Sequence, residues 1–504
     1  MAGRARAFST ALRPAAAPSA SRRVNSLHQP EPLTLPEFVP KDNQFNMADV
    51  STKHWSDEAW STEALRAAQH SHVVGTWAPS KAMADFPIIE RSEGVYLYDR
   101  EGKQYIDWTS QAVCTNLGHD VPPAVIDAVT KQLTTLPSLY GGLGISEVRC
   151  RMAELMSEIM PGDLNGFLFP TGGAEANEAA IRIARRYTGR HKVLTHYRSY
   201  HGGTTSTATA TGDFRRNFGE AGVAGFVKML NPMPSKFSWG ESEEEVTLVS
   251  LAALEEQIIT EGPETIAAIM IESVAGSAGV LVHPRGYVQG VRALCDLYGI
   301  LYIADEVMVG FGRTGKLWGF QHYEGVLPDL VTSAKGLTSA YMPLSVVGMR
   351  APIQRFFDEV PVGWGATYQA HPVGLVCAYE CVKHMLRHEV VAHAASLEPL
   401  MIDRVQHLVD AHPSVRQGRA VGLFGCLDLI DAHGLDIQRL GKPPPPAIGA
   451  FKRAMRDEGI YGMFRPPQLH CAPPLVISEA ELRDGFDRLD RALDVLDAHV
   501  AAAA

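Results

Sequence analysis

The residue in this chain most suited to covalent chemistry is a lysine at the end of an apolar run. Lys335 closes LVTSAKG, and a lysine at a desolvated strand end has a depressed pKa and a nucleophilic amine. Thirty residues earlier, Asp305 stands at the end of a second apolar run, ILYIADEV (300–307). A carboxylate there is costly unless a cation or hydrogen bonds compensate it, and ligands of open α/β sheets collect at the carboxyl ends of strands. A third site is TGGAEANEAAIRIARRYTG (171–189), where glycines lead from the strand-like GFLFP into a helix. Glu175 and Glu178 lie at its start, Arg182, Arg185 and Arg186 toward its end, and Gly189 follows as a stop. Free N–H groups at such a helix start form an anion site.

Each feature alone has an ordinary reading: a snorkelling lysine at the sheet rim, or a glycine-rich strand-to-helix turn. Together, a phosphate cradle, an acid and an amine at the strand ends of one sheet match the needs of pyridoxal 5'-phosphate (PLP). The cradle takes its phosphate, the acid keeps its ring nitrogen protonated, and the amine takes its aldehyde. The segment ADEVMVGFGRTG (304–315) also contains G-x-G-x-x-G after a strand. A dinucleotide site requires a helix opening on those glycines, and the following KLWGF has no helical period. His384 and His388, with Glu389 beside them, lack a third ligand and H-E-x-x-H spacing, so no metal is expected. Cys377 and Cys381 share a helix face as packed thiols, and AGSAG (275–279) lacks the first glycine of a nucleophile elbow.

The elements that must hold these residues follow from periodicity. GVYLYDREGKQYIDW (94–108) alternates around a turn and predicts a β-hairpin, and ISEVRCRMAELMSEIM predicts an amphipathic helix stopped by Pro161-Gly162. Short apolar runs then recur at 166–170, 192–197, 267–274, 300–307, 330–334 and 344–349, separated by helix-length segments. That pattern predicts a parallel sheet covered on both faces. Beyond residue 375 the chain reads as helical, then as a strand at 420–430 and a proline-stiffened surface connection at Pro443–Pro446.

Composition bounds the rest. The 504 residues carry 46 Lys+Arg against 56 Asp+Glu, a formal charge of -10, which argues against nucleic acid as a partner. No apolar run approaches the ~18 residues of a membrane span, so no membrane role is expected. Seven cysteines without C-x-x-C do not form a disulfide framework or zinc ribbon. Residues 1–30 hold five arginines, several serines and no acid, the composition of an organelle transit peptide. The expected location is the mitochondrial matrix, with the plastid as alternative.

The segments TGGAEANE, YRSYHGG, IESVAGSAGV, ADEVMVGFGRTG, SAKG, TYQAHP and APPL, in this order, resemble class III (ω-type) PLP-dependent aminotransferases of fold type I. The resemblance runs from about residue 75 to 495 and is closest in style to ω-amino acid:pyruvate aminotransferases. It implies an α/β fold with a mostly parallel sheet flanked by helices in a large domain, and a smaller α+β domain from both chain ends. The boundaries expected are 1–30 for the transit peptide, 31–124 and 376–504 for the small domain, and 125–375 for the large PLP-binding domain. The implied activity is transfer of an amino group from an ω-amino acid or amine to pyruvate or another small 2-oxo acid. A PLP mutase or lyase on the same fold, or a non-catalytic scaffold, is the alternative.

By position in the motifs, Lys335 corresponds to the lysine that carries the cofactor and Asp305 to its ring-nitrogen partner. Tyr200, followed by His201, corresponds to the residue stacked on one ring face, with Val307 on the other. Gly172, Gly173 and Ala174 correspond to the phosphate cradle, completed by Thr367 from a neighbouring subunit. The resemblance therefore implies a homodimer or dimer of dimers with the active site at the subunit interface. Trp77, Glu272 and Arg465 correspond to substrate-binding positions, with Arg465 on the substrate carboxylate. The chain departs from many members in having Gly172 and Ala174 where serines occur. It also has Met308 where ornithine- and GABA-type members have glutamine, which favours the pyruvate-linked branch.

Overall fold

Residues 51–219, 221–438 and 443–502 are described by a computed structural model of the chain. The chain divides into two units, Met1–Phe86 and Pro87–Ala504. The expected transit peptide, residues 1–30, lies outside the described residues. In the first unit the helix Thr62–His72 begins where the Ser61 hydroxyl accepts the Ala64 N–H at 3.2 Å, an N-cap. A 3-10 turn, Ser80–Asp85, follows, and Trp77 between the two is exposed.

The second unit is organised by a seven-stranded sheet. Its strands are β1 (Leu164–Leu168), β2 (Lys192–His196), β3 (Phe226–Met229), β4 (Ile266–Glu272), β5 (Leu301–Asp305), β6 (Leu330–Ser333) and β7 (Val346–Arg350). Their order across the sheet is β1-β7-β6-β5-β4-β2-β3. β7 runs antiparallel to both neighbours, and every other pairing is parallel. The run at 344–349, expected within a parallel sheet, is thus reversed. No crossover helix joins β6 to β7, only a 3-10 turn and loop, and a parallel return requires a crossover. Ala176, Ala179, Ala180 and Ala184 of the helix Gly173–Thr188 pack on one face against Ala267, Met270, Ile303 and Val347. Leu194, Ile269, Tyr302 and Val331 face the larger core on the other side.

Two smaller sheets flank this one in sequence. Ile89–Glu93, Tyr96–Asp99 and Gln104–Asp107 form the expected hairpin and its neighbour, joined by Ile460–Tyr461 from far along the chain. The run 420–430, expected as one strand, is instead the end of Val415–Val421 and all of Phe424–Leu429, paired antiparallel. The chain reverses at Gly422, where φ is +56° and a Cβ would meet the Thr314 carbonyl carbon at 2.3 Å. Buried Arg313 of the GFGRTG segment ties these parts together. Its Nη1 donates to the Leu423 and Pro473 carbonyls at 2.9 and 2.6 Å, and its Nη2 to Ser110 Oγ and Asn116 Oδ1 at 3.0 and 3.1 Å. Burial pulls this guanidinium down to about 9. Among the described residues, no helix is long and apolar enough to cross a membrane.

Candidate active site

The carboxyl ends of β5 and β6 and the start of the helix Gly173–Thr188 converge on one cleft. Gly172 is the N-cap of that helix and provides no side chain to cap it, and Gly173 and Ala174 of its first turn line the cleft. The Glu175 carboxylate turns backward instead, accepting from Thr171 N at 2.9 Å and Thr171 Oγ at 2.6 Å. A Cβ on Gly173 would lie 2.6 Å from Val307 Cγ1, so glycine lets Val307 approach the helix start.

Asp305, the last residue of β5, is 3% exposed and fully engaged. Its Oδ2 accepts from Asn177 Nδ2 and from His201 Nδ1, both at 2.8 Å, and its Oδ1 accepts from Val307 N at 3.0 Å. The bond to a carboxylate assigns the ring proton of His201 to Nδ1. His201 Nε2 is buried without a partner among the described residues. Asn177 also donates to the His201 carbonyl at 2.7 Å and accepts from Thr332 Oγ at 2.6 Å. One amide thereby joins the anion-binding helix, the acid and the strand that leads to the lysine.

Lys335 lies two residues beyond β6 in a left-handed conformation, φ +43°. A non-glycine residue there stores ~1–3 kcal/mol of strain, which the surrounding structure must impose. Its Nζ makes no hydrogen bond or ion pair among the described residues, and burial lowers its pKa. An amine so placed keeps a larger neutral fraction than a solvated lysine.

Tyr200 forms one wall. Its N–H donates to Glu272 Oε1 at 2.9 Å, while Glu272 Oε2 accepts from Gly276 N at 2.9 Å. Burial pushes the Glu272 carboxyl up to about 7. The guanidinium of Arg215 covers one face of the Tyr200 ring, 3.7 Å from its centroid. Arg465, in the short strand Phe464–Arg465, is pulled down to about 10 by burial and by neighbouring Arg215. It lies within electrostatic reach of both Lys335 and Tyr200.

Gly173, Ala174, Tyr200, His201, Glu272, Asp305, Val307 and Lys335, all expected from sequence, line this single cleft. Gly172 adjoins it as the helix cap. Thr367 sits instead on an exposed turn outside the cleft lining, and Trp77 belongs to the first unit. Sequence reasoning passed over Asn177, although a polar side chain on the alanine-lined face of a helix is a detectable signal. It also missed Arg215 and its partner Asp213, which nothing in their loop spacing announces.

These residues fit PLP: an uncapped helix start for a phosphate, a hydrogen-bonded acid for a ring nitrogen, and an unpartnered amine for an aldehyde. The family described as Aminotransferase class-III matches residues 78–493. The chain belongs to the class III aminotransferases. This aminotransferase is 30% identical over 516 residues to gamma-aminobutyrate transaminase 1, mitochondrial, of Oryza sativa subsp. japonica, covering 97% of each chain. It is 33% identical over 359 residues to putrescine–pyruvate aminotransferase of Pseudomonas aeruginosa, covering 68% of this chain and 77% of that one. Among solved structures, taurine:2-oxoglutarate aminotransferase from Bifidobacterium kashiwanohense, in complex with PLP and glutamate, superposes with a TM-score of 0.82 at 33% identity. That match covers 88% of this chain and 100% of the other. The fold is therefore that of PLP-dependent transferases of fold type I, and the aminotransferase uses PLP.

Proposed function

We propose that this aminotransferase moves an amino group from an ω-amino acid or simple amine to pyruvate or another small 2-oxo acid. The observation that carries the reading is the convergence of Lys335, Asp305 and the uncapped helix start on one cleft. PLP, when bound, supplies an aldehyde that bonds amines and a ring that takes up the electron pair released at the substrate carbon. Lys335 Nζ would hold that aldehyde and, as a free amine, would move the proton at the substrate carbon, a task suited to a base with a lowered pKa. Asp305 holds the proton on the ring nitrogen, while Asn177, His201 and Val307 N hold Asp305. The N–H groups of Gly173 and Ala174, following Gly172, would hold its phosphate, and Tyr200 and Val307 would pack against its ring. Glu272 fixes Tyr200 through its backbone, and Arg465 binds a substrate carboxylate bidentately.

The same reading makes the active enzyme a homodimer or dimer of dimers, with Thr367 on its exposed turn serving the phosphate site of a second copy. It divides the chain into a large PLP-binding domain, 125–375, and a small domain from 31–124 and 376–504. The seven sheet strands within 164–350 and the pairing of Gln104–Asp107 with Ile460–Tyr461 support that division. The Arg-rich, acid-free start and the mitochondrial rice relative support import into the mitochondrial matrix.

The test is a panel of donors (taurine, β-alanine, GABA, putrescine and simple amines) against pyruvate and 2-oxoglutarate. Ping-pong kinetics with a released carbonyl product and transfer to pyruvate are expected. Rearrangement or elimination without any acceptor would instead assign a mutase or lyase.

A further inference from the structure

Lys335 is not the only strained residue of its neighbourhood. Ser339 and Ala340 of the following loop, and Phe311 of the GFGRTG segment, also have left-handed backbones, with φ of +51°, +62° and +63°. Non-glycine residues keep such conformations only where their neighbours over-determine them. The neighbour common to this loop is the stretch 116–118. A Cβ on Gly336 would lie 2.3 Å from Asn116 Nδ2 and 3.0 Å from Phe311 Cβ, so the Asn116 amide is seated directly on the residue after the lysine. The Leu117 N–H donates to Ser339 Oγ at 2.9 Å, and the Gly118 carbonyl accepts from the Tyr341 hydroxyl at 3.0 Å. Three successive residues thus grip three points of the loop 336–341. The grip is itself anchored. Asn116 is 2% exposed; its Nδ2 donates to the Phe311 carbonyl at 2.9 Å, its Oδ1 accepts from Arg313 Nη2 at 3.1 Å, and its carbonyl accepts from Leu475 N at 2.8 Å. An amide bonded at both ends cannot turn or withdraw without stranding a buried donor or acceptor, so it leaves Gly336 no room to shift toward it.

We propose that Asn116 is a positioning residue for Lys335: its anchored amide fixes Gly336 and, through it, the left-handed backbone that keeps the Lys335 side chain in the cleft. The proposal rests on the reading of Lys335 as the residue that takes the cofactor aldehyde. In that step the neutral amine adds to the aldehyde carbon and the carbonyl oxygen leaves as water, so the bond forms only in molecules whose Nζ stands in the cleft. Without the brace, Lys335 relaxes toward an ordinary backbone conformation and the fraction of such molecules falls. Apparent affinity for PLP then falls by the same factor. The noncovalent hold on the cofactor, through the helix start at Gly173 and through Asp305, does not depend on that fraction.

The experiment is a double-mutant cycle in the PLP dissociation constant, measured by equilibrium dialysis on the full-length enzyme. It compares wild type, Asn116→Ala, Lys335→Ala and Asn116→Ala/Lys335→Ala. Lys335→Ala is expected to weaken PLP binding more than about tenfold, because the covalent bond is lost. Asn116→Ala is expected to weaken it roughly tenfold while Lys335 is present, the size of the strain it holds, and less than about twofold once Lys335 is gone. A merely structural role for Asn116 would weaken binding by the same factor in both backgrounds, and that result would overturn the proposal. So would an unchanged constant in Asn116→Ala. Should Asn116→Ala not fold, Ser339→Ala frees the loop from the Leu117 N–H alone and is expected to weaken PLP about threefold, again only while Lys335 is present. No loss there, or an equal loss without Lys335, would overturn the proposal in the same way. An unchanged constant in Lys335→Ala would remove the underlying reading of Lys335 itself. A large loss in Lys335→Ala, with an effect of Asn116→Ala that is equal in both backgrounds, would remove only the role given to Asn116.

Discussion

Replacing Asp305 by asparagine separates the electrostatic role of this side chain from its packing. The carboxylate accepts at both oxygens: two donors meet Oδ2 and a third, Val307 N, meets Oδ1. An amide presents an oxygen at only one of these positions. With its oxygen toward Asn177 and His201, its NH2 faces the Val307 N–H; flipped, it faces the other two donors. At least one buried donor is left without an acceptor, a stability cost of ~1–3 kcal/mol. The catalytic cost is larger, because a neutral amide cannot hold a proton on the ring nitrogen. Removal of one preorganised electrostatic group lowers kcat by on the order of 10^2–10^3. Lys335 and the helix start at Gly173 are untouched, so PLP still binds. The assay combines single-turnover kinetics with pyruvate, the long-wavelength absorbance of bound cofactor and thermal melts. A variant that binds PLP and turns over within about twofold of wild type would refute the assignment of Asp305, because removing a preorganised electrostatic group must cost far more than that.

Further expectations follow from the same geometry. Asn177→Ala strands Thr332 Oγ and the His201 carbonyl and removes a donor from Asp305, so melts should show a loss of ~2–4 kcal/mol together with weakened kcat. Lys335→Ala should abolish turnover with the fold intact, as read by the thermal midpoint and by rates with saturating donor. Glu272, raised from 4.5 to about 7, binds its proton more tightly in the folded state. The stability it contributes is therefore complete below about pH 4.5 and is lost as pH rises to about 7, and denaturant titrations of Glu272→Gln across that window should show a shallower fall than wild type. Arg465→Lys should raise the KM for the keto acid while changing the half-reaction with a carboxylate-free amine far less, since an ammonium cannot copy the bidentate fork.

What was legible in the sequence is what depends on local pattern. The helix Gly173–Thr188 announced itself through its entering glycines and its stop at Gly189, where φ is +69°. Asp305 and the strand before Lys335 were visible because buried strands of such sheets are near-continuous apolar runs. Strand direction was not visible, because a run buried on both faces reads the same whichever way it lies, and β7 therefore came as a reversal. The turn at Gly422 was hidden inside a mostly apolar stretch, and the close approach of the Thr314 backbone that excludes a side chain there comes from another part of the chain. That Asn177 and His201 bond to Asp305 could not be read from local pattern, because they lie 128 and 104 residues away. Arg215 and its partner Asp213 acquire meaning only once the fold brings Arg215 onto the Tyr200 ring.

The most direct test of the account is to reduce the PLP-loaded enzyme with borohydride, digest it and locate the pyridoxyl group by mass spectrometry. The account predicts a single modified peptide, the one containing Lys335, with the modification lost when a donor amine is added before the reductant. Modification of any other lysine, or none in an enzyme that transaminates, would contradict it.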